Sequence, residues 1–192
     1  YTFFNNITRF LEFNERIKIS VVQLDRRIDY LKARFNQRLD FGKLSWINNI
    51  QYQKVTQEED PSELLSGPIA LNVPKWLVRS TIMLTSSMFN NALFFQSGAT
   101  FVFFTDYYAD EYNPLIAEFV TQNNVKIGEY PRIDFFFNAK IKSSRLFVKL
   151  ENVNSPIEHL IYPDTTYDYY AAPFKPYRDF SVRIGLIWNF FE

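Results

Sequence analysis

The segment that decides the fold is Tyr177-Arg-Asp-Phe-Ser-Val-Arg-Ile-Gly-Leu-Ile-Trp-Asn-Phe-Phe191. From Phe180, every second residue is large and apolar: Val182, Ile184, Leu186, Trp188 and Phe190. Between them stand Asp179, Ser181, Arg183, Gly185, Ile187 and Asn189. Successive side chains of a strand point to opposite faces, so the segment has one apolar and one mostly wet face. At roughly 3.3 Å per residue, about a dozen tilted residues cover the hydrocarbon core of a membrane. Aromatics crowd its end, as in the interfacial girdle of an outer-membrane barrel. The segment is therefore predicted to be the closing strand of a transmembrane β-barrel. The alternative is a long strand of a soluble β-sandwich or lipocalin-like barrel.

The same alternation recurs upstream. Residues 1–13 are apolar with poor alternation, and 16–24 alternates Ile17, Ile19 and Val21 against Arg16, Lys18 and Ser20. In a long strand after residue 27, Leu31, Phe35, Leu39 and Phe41 oppose Lys32, Arg34 and Arg38. Further strands are predicted over 44–55, 75–88, 92–106, 131–142 and from Leu146 onward. From residue 41, short turns near 42, 90 and 143 alternate with long loops over 56–74, 107–130 and 155–176. Outer-membrane barrels have this asymmetry, with short periplasmic turns and longer extracellular loops. All nine prolines fall in long loops or at strand starts, where a missing N–H breaks no ladder. A β-sandwich could share the proline placement but has no need of the alternating connections.

The expected architecture is thus all-β: an antiparallel, up-and-down transmembrane barrel to which residues 1–192 contribute about nine C-terminal strands as one region. Bacterial single-chain barrels have an even strand number and must close, since an open edge in lipid leaves backbone groups unsatisfied. The chain opens on Tyr1 with no signal peptide, and a fragment of a longer barrel is expected. No run of eighteen apolar residues exists for a transmembrane helix, which leaves barrel strands unaffected.

Charge is balanced, with 21 Lys and Arg against 21 Asp and Glu, but unevenly placed. The presumed lumen face carries Arg16, Lys18, Lys32, Arg34, Arg38, Arg79, Arg132, Lys140, Lys149 and Arg183 against Asp134, Glu151 and Asp179. The long loops are acidic. A wall of one sign concentrates the opposite ion, and rings of Arg and Lys select anions in pores. The competing expectation is that these cations pair with a plug, a loop or an upstream strand.

Other chemistries find little support. There is no cysteine, and the single histidine, His159, lies in a loop, so neither thiolate chemistry nor a metal or cofactor site is expected. Asn154, Ser155 and His159 sit too close together in one loop to make an oriented catalytic triad. The aromatics lie opposite the basic residues, unlike a nucleic-acid stacking groove.

The run Tyr130-Pro-Arg-Ile-Asp-Phe-Phe-Phe-Asn-Ala-Lys-Ile-Lys142 with Arg145-Leu-Phe-Val-Lys-Leu-Glu-Asn-Val-Asn154 resembles the C-terminal region of the "putative porin" family of Bacteroidota. So do Phe104-Thr-Asp-Tyr-Tyr-Ala-Asp-Glu-Tyr-Asn-Pro114 and the ending Trp188-Asn-Phe-Phe191. The last strands of TonB-dependent receptors look similar. The resemblance implies an outer-membrane β-barrel in contact with lipid. Its closing strand would be a recognition signal for the barrel-assembly machinery, with Trp188, Phe190 and Phe191 as the aromatic end. Glu192 departs from signals that stop on an aromatic. Three functions follow: a passive pore for small solutes, the tail of a TonB-dependent transporter, or a blocked accessory barrel among other outer-membrane subunits.

Overall fold

The computed structural model describes residues 2–4, 7–13, 18–24, 27–57, 71–122, 124–156 and 169–189; for 2–24 the backbone alone is described. Fourteen strands are present: β1 (Thr2–Phe4), β2 (Ile7–Phe13), β3 (Lys18–Leu24), β4 (Ile28–Phe41), β5 (Leu44–Gln57), β6 (Trp76–Met88), β7 (Leu93–Phe104), β8 (Glu111–Asn113), β9 (Glu118–Thr121), β10 (Arg132–Ile141), β11 (Ser144–Glu151), β12 (Tyr170–Ala172), β13 (Lys175–Pro176) and β14 (Ser181–Trp188). Eight of them form one antiparallel sheet in the order β1-β4-β5-β6-β7-β10-β11-β14. Each strand from β4 onward is paired with the next sheet strand in sequence, which is the connectivity of an up-and-down wall. The sheet is open: β1 and β14 are its margins, and it does not close into a barrel.

The registers make the two faces continuous. Phe35 lies opposite Ile50, Ile50 opposite Val78, and Val78 opposite Phe103. On the far side, Phe137 pairs with Val148, and Val148 with Ile184. Every alternation predicted from β4 to β14 therefore falls on the expected side of one sheet. Three polar groups on the apolar face satisfy one another. Trp46 Nε1 donates to Ser80 Oγ at 2.9 Å, and Ser80 Oγ donates to Asn48 Oδ1 at 2.7 Å.

Among the described residues no second layer covers this face. Among the described residues only Ile28, Val120, Ile127, Tyr130 and Ala139 are buried apolar side chains. Ile184 and Leu186 are 69% and 65% exposed, and Phe35 is 54% exposed. A sandwich or lipocalin would bury these residues in a dry interior. Among the described residues no such interior is seen.

Short turns lie at one end of the sheet: Gly42–Lys43, the Phe89–Ala92 turn and Lys142–Ser143. The second of these holds Phe89, Asn90 and Asn91 at φ of 54°, 52° and 68°, closed by Ala92 N donating to Phe89 O at 3.0 Å. The long connections gather at the other end and carry structure of their own. A second sheet, ordered β3-β2-β9-β8, joins the 5–27 connection to the 107–130 loop, with β2 and β9 parallel. β12 and β13 form a small hairpin in the last long loop.

This arrangement corrects the N-terminal expectation. Residues 1–13 are two strands in different sheets, and β3 is not part of the wall. The wall has eight strands here rather than nine. β2 and β3 have seven residues each, short of the ~9–11 that a tilted strand needs to cross a bilayer. Alternation identified β3 as a strand but carried no information about its sheet. β14 is also shorter than expected, because its partner β11 ends at Glu151, where Asn152 takes φ 55°.

Candidate functional site on the polar face

The polar face of the wall is built by alternate positions of seven strands. Its strands carry nine cations, Lys32, Arg34, Arg38, Arg79, Arg132, Lys140, Arg145, Lys149 and Arg183, against three carboxylates, Asp40, Asp134 and Glu151. Eight of the cations predicted from sequence are brought onto this one surface. Lys18 begins β3 and lies in the other sheet, and Arg16 is outside the described residues. Arg145 and Asp40 were absent from the sequence prediction because both adjoin short turns. The turn placed at Ser143–Ser144 is Lys142–Ser143, which puts Arg145 on β11 directly opposite Lys140.

All three carboxylates are used. Asp40 accepts from Arg38 Nε at 3.0 Å and from Ser45 Oγ at 2.5 Å. Asp134, whose side chain is 4% exposed, lies 3.3 Å from Arg132 and 3.4 Å from Lys149. Glu151 takes Lys149 at 2.7 Å and Arg183 at 2.7 Å. Thus part of the expected pairing occurs within the sheet itself. Arg34 reaches neutral Gln51 at 3.0 Å. Lys32, Arg79, Lys140 and Arg145 have no carboxylate partner among the described residues, so the described part of the face carries more cations than carboxylates.

The two resemblance-carrying segments meet at the long-loop end. Asn152 N donates to Asp134 Oδ1 at 3.0 Å, and Tyr130 Oη donates to Asn152 Oδ1 at 2.5 Å. Ile133 N donates to Asn154 Oδ1 at 3.0 Å, while Asn154 Nδ2 donates to Pro131 O at 2.9 Å. Tyr130 further packs on Tyr169 and Tyr177, with ring centroids 4.7 and 5.0 Å away. These asparagines therefore clasp the start of β10 to the end of β11. Ser155 points to Asp179 at 3.4 Å, and His159 lies outside the described residues.

Two glycines shape the polar face. Gly98 lies opposite Phe136 and Gly185 opposite Phe147. A Cβ at Gly185 would sit 2.2 Å from the Phe147 ring, and one at Gly98 would sit 2.8 Å from the Phe136 ring. Each ring lies across its glycine, so an aromatic side chain is held flat on the wet side of the sheet.

Of the predicted C-terminal signal, Phe180, Val182, Ile184, Leu186 and Trp188 are exposed on the margin of the wall; Phe190 and Phe191 are outside the described residues.

The protein is thus of the all-β class, with a single antiparallel wall that is apolar on one side and cationic on the other. The chain belongs to the family described as "Putative porin", whose match covers residues 1–192. No curated protein and no solved structure matches it.

Proposed function

We propose that this chain forms part of the wall of an outer-membrane β-barrel pore that passes small solutes passively and favours anions. The observation that carries this is the division of one sheet: apolar side chains exposed on one face, and nine cations against three carboxylates on the other, among the described residues. In water, so large an exposed apolar surface would drive association. In lipid it needs no cover, and the cationic side becomes the lining of a water-filled lumen. The family assignment supports a non-enzymatic channel in the outer membrane. Beyond residues 28–30, paired with β1, the margin of β4 is open among the described residues, and that is where further strands would join to close the barrel.

The test is the reversal potential of the full-length protein in planar bilayers under a KCl gradient. Arg34→Glu with Arg79→Glu is expected to move selectivity toward cations. Unchanged selectivity would refute anion preference, and an absence of discrete openings would refute the pore in favour of an accessory barrel.

A further inference from the structure

The polar face contains one place where its own logic breaks. Near the short-turn end a concavity of about 420 Å³ is lined by Phe94, Gln96, Asn138, Lys140, Arg145 and Phe147, among others. Lys140 and Arg145 are register partners, directly across from each other. Like charges so placed repel. Elsewhere on these strands Arg132, Lys149 and Arg183 each meet a carboxylate, but this pair meets none among the described residues.

Apolar surface adjoins the pair. Phe94, Phe147 and Ile187, all lining the concavity, are 43%, 39% and 52% exposed. Gly185 leaves the room that lets the Phe147 ring lie flat beside the cations. Asn138 faces Gln96 across the strands, and neither amide bonds a described side chain. The concavity thus combines two unpaired cations, two amides and two aromatic surfaces, and its volume lies in the ~300–1,000 Å³ range of small-molecule sites.

We propose that this concavity is a binding site for a small carboxylate that carries a flat apolar body. The carboxylate would receive charge-assisted hydrogen bonds from Lys140 and Arg145, and the body would pack on Phe147 and Phe94. Occupancy removes the repulsion between the opposed cations and covers both rings. The site deepens the pore proposal and rests on it for solute access: it is a weak station along the lumen that favours amphipathic organic anions over inorganic ones.

The probe is 4-fluorobenzoate, followed by fluorine NMR line broadening with the full-length protein in detergent micelles. Lys140→Gln with Arg145→Gln is expected to weaken binding about five- to tenfold, from two partly exposed charge contacts. Lys43→Gln, at another turn of the same end, should leave binding unchanged. Phe147→Ala should weaken binding without affecting the fold. The proposal is overturned if the double variant binds equally, if Lys43→Gln weakens binding as much, or if neutral 4-fluorobenzamide binds as well. Displacement by equimolar inorganic phosphate would also overturn it. Conductance of the same preparations keeps the two proposals apart. Binding without conductance refutes the pore and leaves the site, whereas conductance without binding refutes the site alone.

Discussion

Replacing Gly98 with alanine tests the packing of the wall at its tightest point. The new Cβ would lie 2.3 Å from the backbone oxygen of Ile82 on β6 and 2.8 Å from the Phe136 ring on β10. Ordinary contact begins at 3.4 Å, so the backbone of β6 or of β7 itself must retreat by about 1 Å. β7 is hydrogen-bonded along most of its length to both neighbours, and neither can move without loosening a ladder. Overpacking costs about 1–3 kcal/mol, and each weakened backbone bond about 1 kcal/mol more. A loss of about 2–4 kcal/mol is expected. Gly185→Ala is the control. There the obstruction is the outer edge of the Phe147 ring, 2.2 Å away, which can swing away from the sheet for roughly 0.5–1.5 kcal/mol of rotamer strain. Urea unfolding from lipid vesicles, followed by tryptophan fluorescence, reads both. With a slope of about 2 kcal/mol per molar, Gly98→Ala should lower the midpoint by about 1–2 M and Gly185→Ala by less than about 0.8 M. If Gly185→Ala is the more damaging, the packing argument is wrong.

Three further outcomes are expected. Asn152→Ala removes side-chain bonds to Tyr130 and Arg178 and places alanine at φ 55°, so a loss of about 2–4 kcal/mol is expected in the same urea assay. Asn152→Gly, which tolerates the backbone, should lose less. Asp134→Ala strands Arg132, Lys149 and the Asn152 amide around a buried position and should cost about 2–3 kcal/mol, whereas Asp40→Ala, at an exposed pair, should cost clearly less. The long-loop end should loosen in alkali. The hydrogen bond to Asp106 raises Lys126 above its ordinary 10.5, and burial raises Tyr107 and Tyr177 above their ordinary 10.0. Groups with raised values give stability that is complete below the ordinary value and lost as pH rises through the raised one. Hydrogen exchange at residues 124–129, corrected for its intrinsic pH dependence, should therefore accelerate above about pH 10. No acceleration there would contradict these couplings.

What could be read in advance depended on how many residues repeat one instruction. From β4 to β10 each wall strand has at least ten residues, and long alternation fixes both the strand and its faces. Residues 18–24 alternate as cleanly, but their partner β2 pairs with β9, a contact distant in sequence that alternation does not specify. Arg145 was hidden by a turn placed one residue late. The ion pairs were hidden for a different reason: whether Lys149 meets Asp134 or Glu151 depends on register and side-chain direction, which alternation does not specify. The clasp of Asn152 and Asn154 onto β10 was likewise visible only as a resemblance.

The two charges on the apolar face carry more information than the many on the polar one. Asp29 pairs with Thr56, and Lys54 with Leu31, both at the long-loop end; below them that face is free of charge to Phe41 and Leu44 at the short turn. Eleven residues from 31 to 41 extend about 34 Å along the strand, and a tilt of about 40° reduces this to roughly 26 Å of height. The apolar band of an outer-membrane barrel is about 25 Å tall. Tyr52 and Trp76, with ring centroids 4.8 Å apart, stand at the upper limit of the charge-free interval, and Trp188 and Phe41 at its lower. A soluble sheet could expose apolar side chains by accident of a missing partner. It would have no reason to confine its charges to one rim, or to set the charge-free interval at the height of a membrane.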